Sequence, residues 1–495
     1  MINKIFPIAK KTFTLAAAGS LFLLGATMDY NYAEASPIPL RGIVEGFYGT
    51  PWQQADRLDI LTFCNKHDLN AYIYAPKDDP YHRAKWREPY PTDKMKELSA
   101  LITAAQKQKV RFVFAVSPGL DIKFTGFKGF QDRMAMYKKL QAMYDLGVQD
   151  FAIFFDDIQD KDGEGQAQFL NWLSEKFIAT HYGVNPLITV PTEYFRADMH
   201  TDGVKKPYTE AFTKNLNPEI LVLYTGDGVV PDGLSDEQLA AANALYNRTL
   251  GIWWNYPVTD YMENKLALGP IEKLPENSVI PAIFFNPMKY EQLSKIALAT
   301  GADYAKDPHR YRAQKSWEKA ISEQYGAMAK DMQRVAGQSQ HLENSWAKIG
   351  RPDGPEIREA INHYWESNRS QAAEIAVQEQ LRDLHQSAVN LLAQLPKEIL
   401  TECSPQLQQL MRITNADMTG LELIKKPNDA ALKQKFIRQR EQVEQHDKEA
   451  LIAETSARAF VNEIHEYLKG QEQTAKEANE ATKTNKTTSV EKPEH

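Results

Sequence analysis

A (β/α)8 barrel of the TIM type followed by a C-terminal α-helical bundle, an α/β fold class, is what this 495-residue sequence predicts. Three observations carry the prediction. Eight short apolar, β-branched or aromatic runs recur from residue 39 to about 290, each bounded by turn residues and too short for a helix. Amphipathic stretches separate them, and strands alternating with helices imply a parallel sheet. After about residue 310 the strand-like runs vanish, and Glu, Gln, Ala, Leu and Lys dominate.

The runs are LRGIVEG (40–46), NAYIYAPK (70–77), RFVFAVSPG (111–119), DFAIFFDD (150–157), PLITVPTEY (186–194), EILVLYTG (219–226), TLGIWWN (249–255) and SVIPAIFFNP (278–287). Strands buried on both faces read as continuous apolar runs, and these do. Segments such as QQADRLDILTFCNKHD and DKMKELSALITAAQKQ supply the intervening helices. The barrel is expected over residues 36–310, a bundle of four to six helices over 311–470, and a polar, low-complexity, disordered tail over 471–495.

The first 35 residues read as an export signal. Lys4, Lys10 and Lys11 precede an apolar segment at 12–28, and Ala33-Glu34-Ala35 offers small residues for cleavage. The rival is an uncleaved anchor, since the segment nearly reaches the ~18–20 residues needed to span a bilayer. Its Gly, Ser and Thr content favours removal, which leaves a secreted chain with no stable membrane span. A net charge of −7 disfavours nucleic acid as a partner. Cys64 and Cys403 build neither a zinc site nor a disulfide framework.

Chemistry in such a barrel sits at the C-terminal ends of the strands. The polar residues there are Glu45, Lys77, Ser117, Asp156, Asp157, Glu193, Tyr194, Thr225, Asn255 and Asn286. Asp156 and Asp157 are the most pointed. An apolar run ends in two adjacent carboxylates, which resist ionising together in one low-dielectric site. One ionised and one protonated acid would make a base beside an acid. A helix N-cap suits the same residues, and a metal held by Asp156, Asp157 and Glu193 is an alternative. In GIWWNYPVTDY (251–261), two tryptophans followed by Asn255 and Asp260 suit a sugar subsite, although Trp also fills barrel cores. The turn Gly46-Phe47-Tyr48-Gly49 either lets backbone approach a ligand or makes a tight loop.

RGIVEGFYGTPW, NAYIYAPKDDPYHRAKWRE, FAVSPGLDI, FFDDI, VPTEY, IWWNYPVTD and FFNP, in this order, resemble glycoside hydrolase family 84, the β-N-acetylglucosaminidases that include O-GlcNAcase. The resemblance covers about residues 38–310. It implies substrate-assisted catalysis without cofactor or metal, in which the substrate's 2-acetamido oxygen attacks the anomeric carbon. Asp156 would orient the acetamido N–H, and Asp157 would act as general acid and then base. Gly46 and Lys77 would contact sugar hydroxyls, Tyr194 would line the acetamido pocket, and Trp253 and Trp254 would wall the site. Asn255 would hold the acetamido oxygen, and Asp260 with Asn286 would take the remote hydroxyls.

The partner so implied is a β-GlcNAc-bearing glycoconjugate, cleaved with retention by a secreted exo-enzyme. An endo-acting hyaluronidase-type glycosidase and a non-catalytic glycan-binding barrel are the alternatives. The resemblance has one expected departure: the small α/β domain that often precedes the barrel in bacterial relatives finds no room after the leader, and no carbohydrate-binding module follows.

Overall fold

The eight runs become eight parallel strands: β1 (Leu40–Glu45), β2 (Ala71–Tyr74), β3 (Arg111–Val116), β4 (Asp150–Phe154), β5 (Ile188–Val190), β6 (Leu221–Tyr224), β7 (Gly251–Trp254) and β8 (Ala282–Phe285). The structure is a computed structural model that describes residues 37–488, so the expected export signal lies outside the described residues. The sheet closes in sequence order: β1 sets Gly42 against Ala71 of β2 and Ile43 against Phe285 of β8. Alternation along each strand sorts the side chains. On β4, Ala152 and Phe154 point into the barrel with Val44, Ile73 and Val113, while Phe151 and Ile153 pack outward beneath the helices. The helices between strands include Gln54–Lys66, Thr92–Lys107, Gly126–Tyr144 and Gly163–Lys176, and Glu291–Lys306 follows β8.

Beyond the barrel run the helices Ala313–Tyr325, Ala329–Ala336, Pro355–Glu366, Gln371–Gln394, Lys397–Lys425, Ala430–His446 and Ala457–Thr488. Three expectations differ here, the first being that these are seven helices among the described residues where four to six were expected. Strands do not vanish after residue 310: Leu342–Glu343 and Lys348–Ile349 form an antiparallel pair. Nor does disorder begin at 471. The helix from Ala457 continues to Thr488, its polar composition being that of a solvated helix; residues 489–495 lie outside the described residues.

The helical region grips the barrel at two places. Glu402 accepts hydrogen bonds from Gln292 N and Leu293 N, at 3.1 and 2.8 Å, and so satisfies the open N-terminus of Glu291–Lys306. The loop after β7 is held as well. Asn264 O accepts from Leu451 N at 2.8 Å, Leu268 N donates to Ser339 O at 2.7 Å, and buried Lys265 pairs with Glu454 at 2.7 Å.

Candidate active site

Strand β4 delivers the two aspartates. It ends at Phe154, Phe155 N still reaches Val190 O at 2.8 Å, and the chain then leaves the sheet. Asp157 takes φ +56°, in the left-handed region that Asp tolerates better than most residues. That turn breaks strand alternation, so both carboxylates line one cavity. The pair is not an N-cap: the following helix is capped by Asp162, whose Oδ1 accepts from Gly165 N at 2.8 Å.

The cavity has a volume of about 530 Å³ at the C-terminal mouth of the barrel. Nine of the ten predicted site residues line it: Gly46, Lys77, Asp156, Asp157, Tyr194, Trp253, Asn255, Asp260 and Asn286. Trp254 does not. It is 1% exposed and packs in the core outside the barrel, because its neighbour Trp253 takes the inward position on β7.

The two carboxylates are held differently. Asp156 and Lys77 are both buried, and Lys77 Nζ pairs with Asp156 Oδ2. Asp156 Oδ1 is buried without a hydrogen-bond partner. Asp157 is partnered on both oxygens: Tyr48 OH donates to Oδ2 at 2.7 Å and Tyr194 OH to Oδ1 at 2.9 Å, while Arg83 Nη2 donates to its backbone carbonyl at 3.2 Å. Burial works to raise the Asp157 carboxyl, but Lys77, the two phenols and Arg83 outweigh it and hold it below the usual carboxylate range.

The opposite wall is a network of fixed amides. Asn255 Oδ1 accepts from Trp253 Nε1 at 2.8 Å and from Asn286 Nδ2 at 3.0 Å, and Asn255 Nδ2 donates to Val229 O at 2.9 Å. Asn286 Oδ1 in turn accepts from Gly46 N at 3.3 Å. Position 46 must be glycine because the Trp253 ring lies on it; a Cβ there would stand 2.4 Å from Trp253 Cζ2. Asp260 Oδ2 accepts from Tyr48 N at 2.8 Å, and burial raises its carboxyl with a further push from Asp157.

Three aromatic residues of the wall were not expected. Tyr48 sits in the noted glycine turn, and its signal was an aromatic residue with a polar tip held beside a catalytic strand end. Tyr261 and Trp346 pack with ring centroids 5.0 Å apart. Trp346 comes from the turn that joins the antiparallel pair beyond the barrel and is 54% exposed. Among the described residues no group of three or more His, Cys, Asp or Glu side chains is placed to hold a metal ion; Glu193 is instead engaged by Lys161 at 3.1 Å. Cys64 and Cys403 are buried free thiols, and no helix of the described residues is long and apolar enough to cross a membrane.

Comparison with known proteins agrees with this geometry. The NAGidase family, described as beta-N-acetylglucosaminidase, matches residues 41–337, and a hyaluronidase post-catalytic domain-like family matches 356–461. The protein O-GlcNAcases of Mus musculus and Rattus norvegicus are each 32% identical over 277 residues, which is 54% of this chain but 30% of theirs. The chain therefore spans less than a third of the length of those curated relatives. Among solved structures, CpGH84B superposes with a TM-score of 0.82 at 38% identity, covering 87% of this chain and 78% of that one. A point mutant of the Thermobaculum terrenum O-GlcNAc hydrolase gives a TM-score of 0.76 at 25% identity, over 86% and 94% of the two chains. The eight-stranded barrel with its paired aspartates, the helical region behind it and these matches together make the chain a member of glycoside hydrolase family 84.

Proposed function

We propose that the chain is a secreted, retaining exo-β-N-acetylglucosaminidase that removes terminal β-linked GlcNAc from glycoconjugates by substrate-assisted catalysis. The observation that carries the reading is the asymmetry of Asp156. One oxygen is fixed by Lys77, and the other is a buried acceptor with no partner. Such an acceptor suits the N–H of a 2-acetamido group, since leaving it unmatched is costly. An acetamide drawn to Asp156 turns its carbonyl oxygen toward the anomeric carbon. That oxygen attacks, the glycosidic bond breaks, and an oxazolinium ion forms whose N–H remains hydrogen-bonded to the Asp156 carboxylate. Asp157 gives its proton to the departing oxygen and later takes one from the water that opens that ring on the original face.

In the free protein Asp157 is held toward the ionised form. A sugar filling the cavity adds burial without adding charge, and burial is the strongest influence on this carboxyl; it therefore moves Asp157 toward the protonated form that a general acid needs. Asp260 and Asn286 offer polar groups to the remote hydroxyls, as an exo-acting site requires, and Asn255 is left for the acetamido oxygen. Export is supported by the basic start, the apolar segment 12–28 and Ala33-Glu34-Ala35.

The acyl group tests the mechanism. Aryl glycosides bearing mono-, di- and trifluoroacetyl groups should be cleaved progressively and steeply more slowly, because fluorine withdraws density from the attacking oxygen. A shallow dependence, together with a 2-fluoro sugar trapped covalently on Asp156 or Asp157 in the mass spectrum, would overturn it.

A further inference from the structure

Strand β2 ends before its neighbour does. Its last residue, Tyr74, stands opposite Phe114 of β3, and β3 runs on through Ala115 and Val116. Past that point β2 no longer covers its side of β3, and a buried carbonyl or N–H left open there is costly. His82 closes the gap. Its Nδ1 donates to Ala115 O at 2.8 Å, and its backbone carbonyl accepts from Ser117 N at 2.9 Å. Ser117 Oγ goes on to Phe154 O at 3.3 Å, at the end of the strand that delivers the two aspartates. One fully buried residue thus stands in for the strand that has stopped.

The ring holds this bond in one form only. A carbonyl oxygen only accepts, so the proton sits on Nδ1 and Nε2 carries a bare lone pair. Nε2 is buried without a hydrogen-bond partner. The charges that bear on the ring are cations: Lys77 and Arg83 on its own segment, and Lys139 from the helix Gly126–Tyr144. Burial, joined by these three charges, pushes the imidazole down to about 3. The ring is therefore neutral around pH 7, and its bond to Ala115 does not change with pH there.

The segment held in this way carries two cations that touch the aspartates. Lys77 stands at its start and pairs with Asp156, and Arg83 stands next to His82 and donates to Asp157 O at 3.2 Å. Between them Asp79 Oδ2 accepts from Tyr74 OH at 2.8 Å and from Tyr90 OH at 3.0 Å. We infer that His82 is a positioning residue for the reaction: its Nδ1–H, held by Ala115 O, fixes the segment 77–83 against β3 where Lys77 meets Asp156 and Arg83 meets Asp157. The inference rests on the glycosidase reading above. His82 does not line the cavity, so it acts through the two cations rather than on the sugar.

The test separates the two ring nitrogens. In His82→Asn the side-chain amide N–H can replace Nδ1–H; in His82→Gln the amide reaches the place of Nε2 and the bond to Ala115 O is lost; His82→Leu removes both. Each variant is made in the whole chain and checked by thermal melt, and kcat/KM for an aryl and an alkyl β-GlcNAc glycoside is followed against pH. Asp157 faces Lys77, Arg83, Tyr48 and Tyr194, with Asp156 and Asp260 in the same cavity. Lys77 and Arg83 hold its carboxyl down, so loosening them raises it. In His82→Gln and His82→Leu the alkaline limb on the alkyl glycoside should move to higher pH, and kcat should fall roughly tenfold or more, the scale of a small misplacement. His82→Asn should return the limb and most of the rate. A merely structural role would lower the melting temperature and leave the limb in place. An unmoved limb in a folded Gln or Leu variant overturns the inference. So does a limb in His82→Asn that moves, whether or not the other two fold. Failure of the unaltered protein to cleave the aryl glycoside at all would instead overturn the glycosidase reading, and the inference with it.

Discussion

Tyr48 joins the two halves of the site: its phenol donates to Asp157 Oδ2 at 2.7 Å, while its own backbone N–H donates to Asp260 Oδ2 at 2.8 Å. The phenol stabilises the ionised form of Asp157, so Tyr48→Phe should raise that carboxyl's pKa. On substrates with poor leaving groups, the alkaline limb of the kcat/KM profile should move to higher pH. An unmoved limb would separate Tyr48 from proton transfer.

Asp157→Asn should slow alkyl or seryl β-GlcNAc glycosides by ~10²–10⁴-fold, the range of general acid–base assistance. Activated aryl glycosides, which leave without a proton, should lose much less. Equal losses on both would remove Asp157 from the acid role.

Lys77→Met leaves a buried carboxylate without its cation. Breaking such a pair by removing one partner costs ~3–5 kcal/mol. A clear drop in melting temperature is expected, together with at least tenfold slower hydrolysis as Asp156 loses the charge that fixes it. Lys77→Arg should restore part of the stability without restoring the rate.

The barrel's hold on the helical region should weaken at alkaline pH. Burial pushes Glu291 up to about 8 and Glu402 up to about 7, where the two lie near Lys295 and the N-terminus of Glu291–Lys306. A carboxyl with a raised folded pKa binds its proton more tightly folded than unfolded. Its stabilising contribution is therefore complete below the unfolded value of about 4.5 and is lost as pH rises through the folded value. Melting temperature should decline between about pH 5 and 8 from these groups, and Glu291→Gln should flatten that slope.

A chain ending at residue 312 should lose activity even where it stays soluble. It lacks Trp346 from the cavity wall and the groups that hold Asn264, Lys265 and Leu268 in the loop carrying Asp260 and Tyr261. Full activity of that fragment on an aryl glycoside would show that the helical region does not support the site.

The strand ends were legible because a buried parallel strand is an unbroken apolar run, and at several strands the polar residue that stops it meets the cavity, although Glu45 is instead paired with Arg57 and Glu193 with Lys161. Asp156, Asn255 and Asn286 follow this rule. The adjacent tryptophans defeated it. Sequence cannot say which of Trp253 and Trp254 faces inward, since that depends on the register of β7 against its neighbours. Trp346 was hidden for another reason. It belongs to a segment whose composition is helical in bulk, and only the three-dimensional return of the chain places it beside Tyr261. The helix to Thr488 shows the same limit from the other side, because a polar, low-complexity stretch satisfies a solvated helix as well as a disordered tail.

The contact between Gly46 N and Asn286 Oδ1 spans 240 residues. During synthesis the first barrel strand therefore emerges long before the last one that must pair with it. Until Phe285 has left the ribosome, both β1 and the most recently made strand present open edges, which are templates for unwanted pairing. The Trp253 ring cannot settle on Gly46 before β7 itself has been made, and Trp346 completes the rim only after β8. Turnover of a chromogenic sugar by nascent chains would thus report completion rather than progress, switching on only after most of the polypeptide has been made.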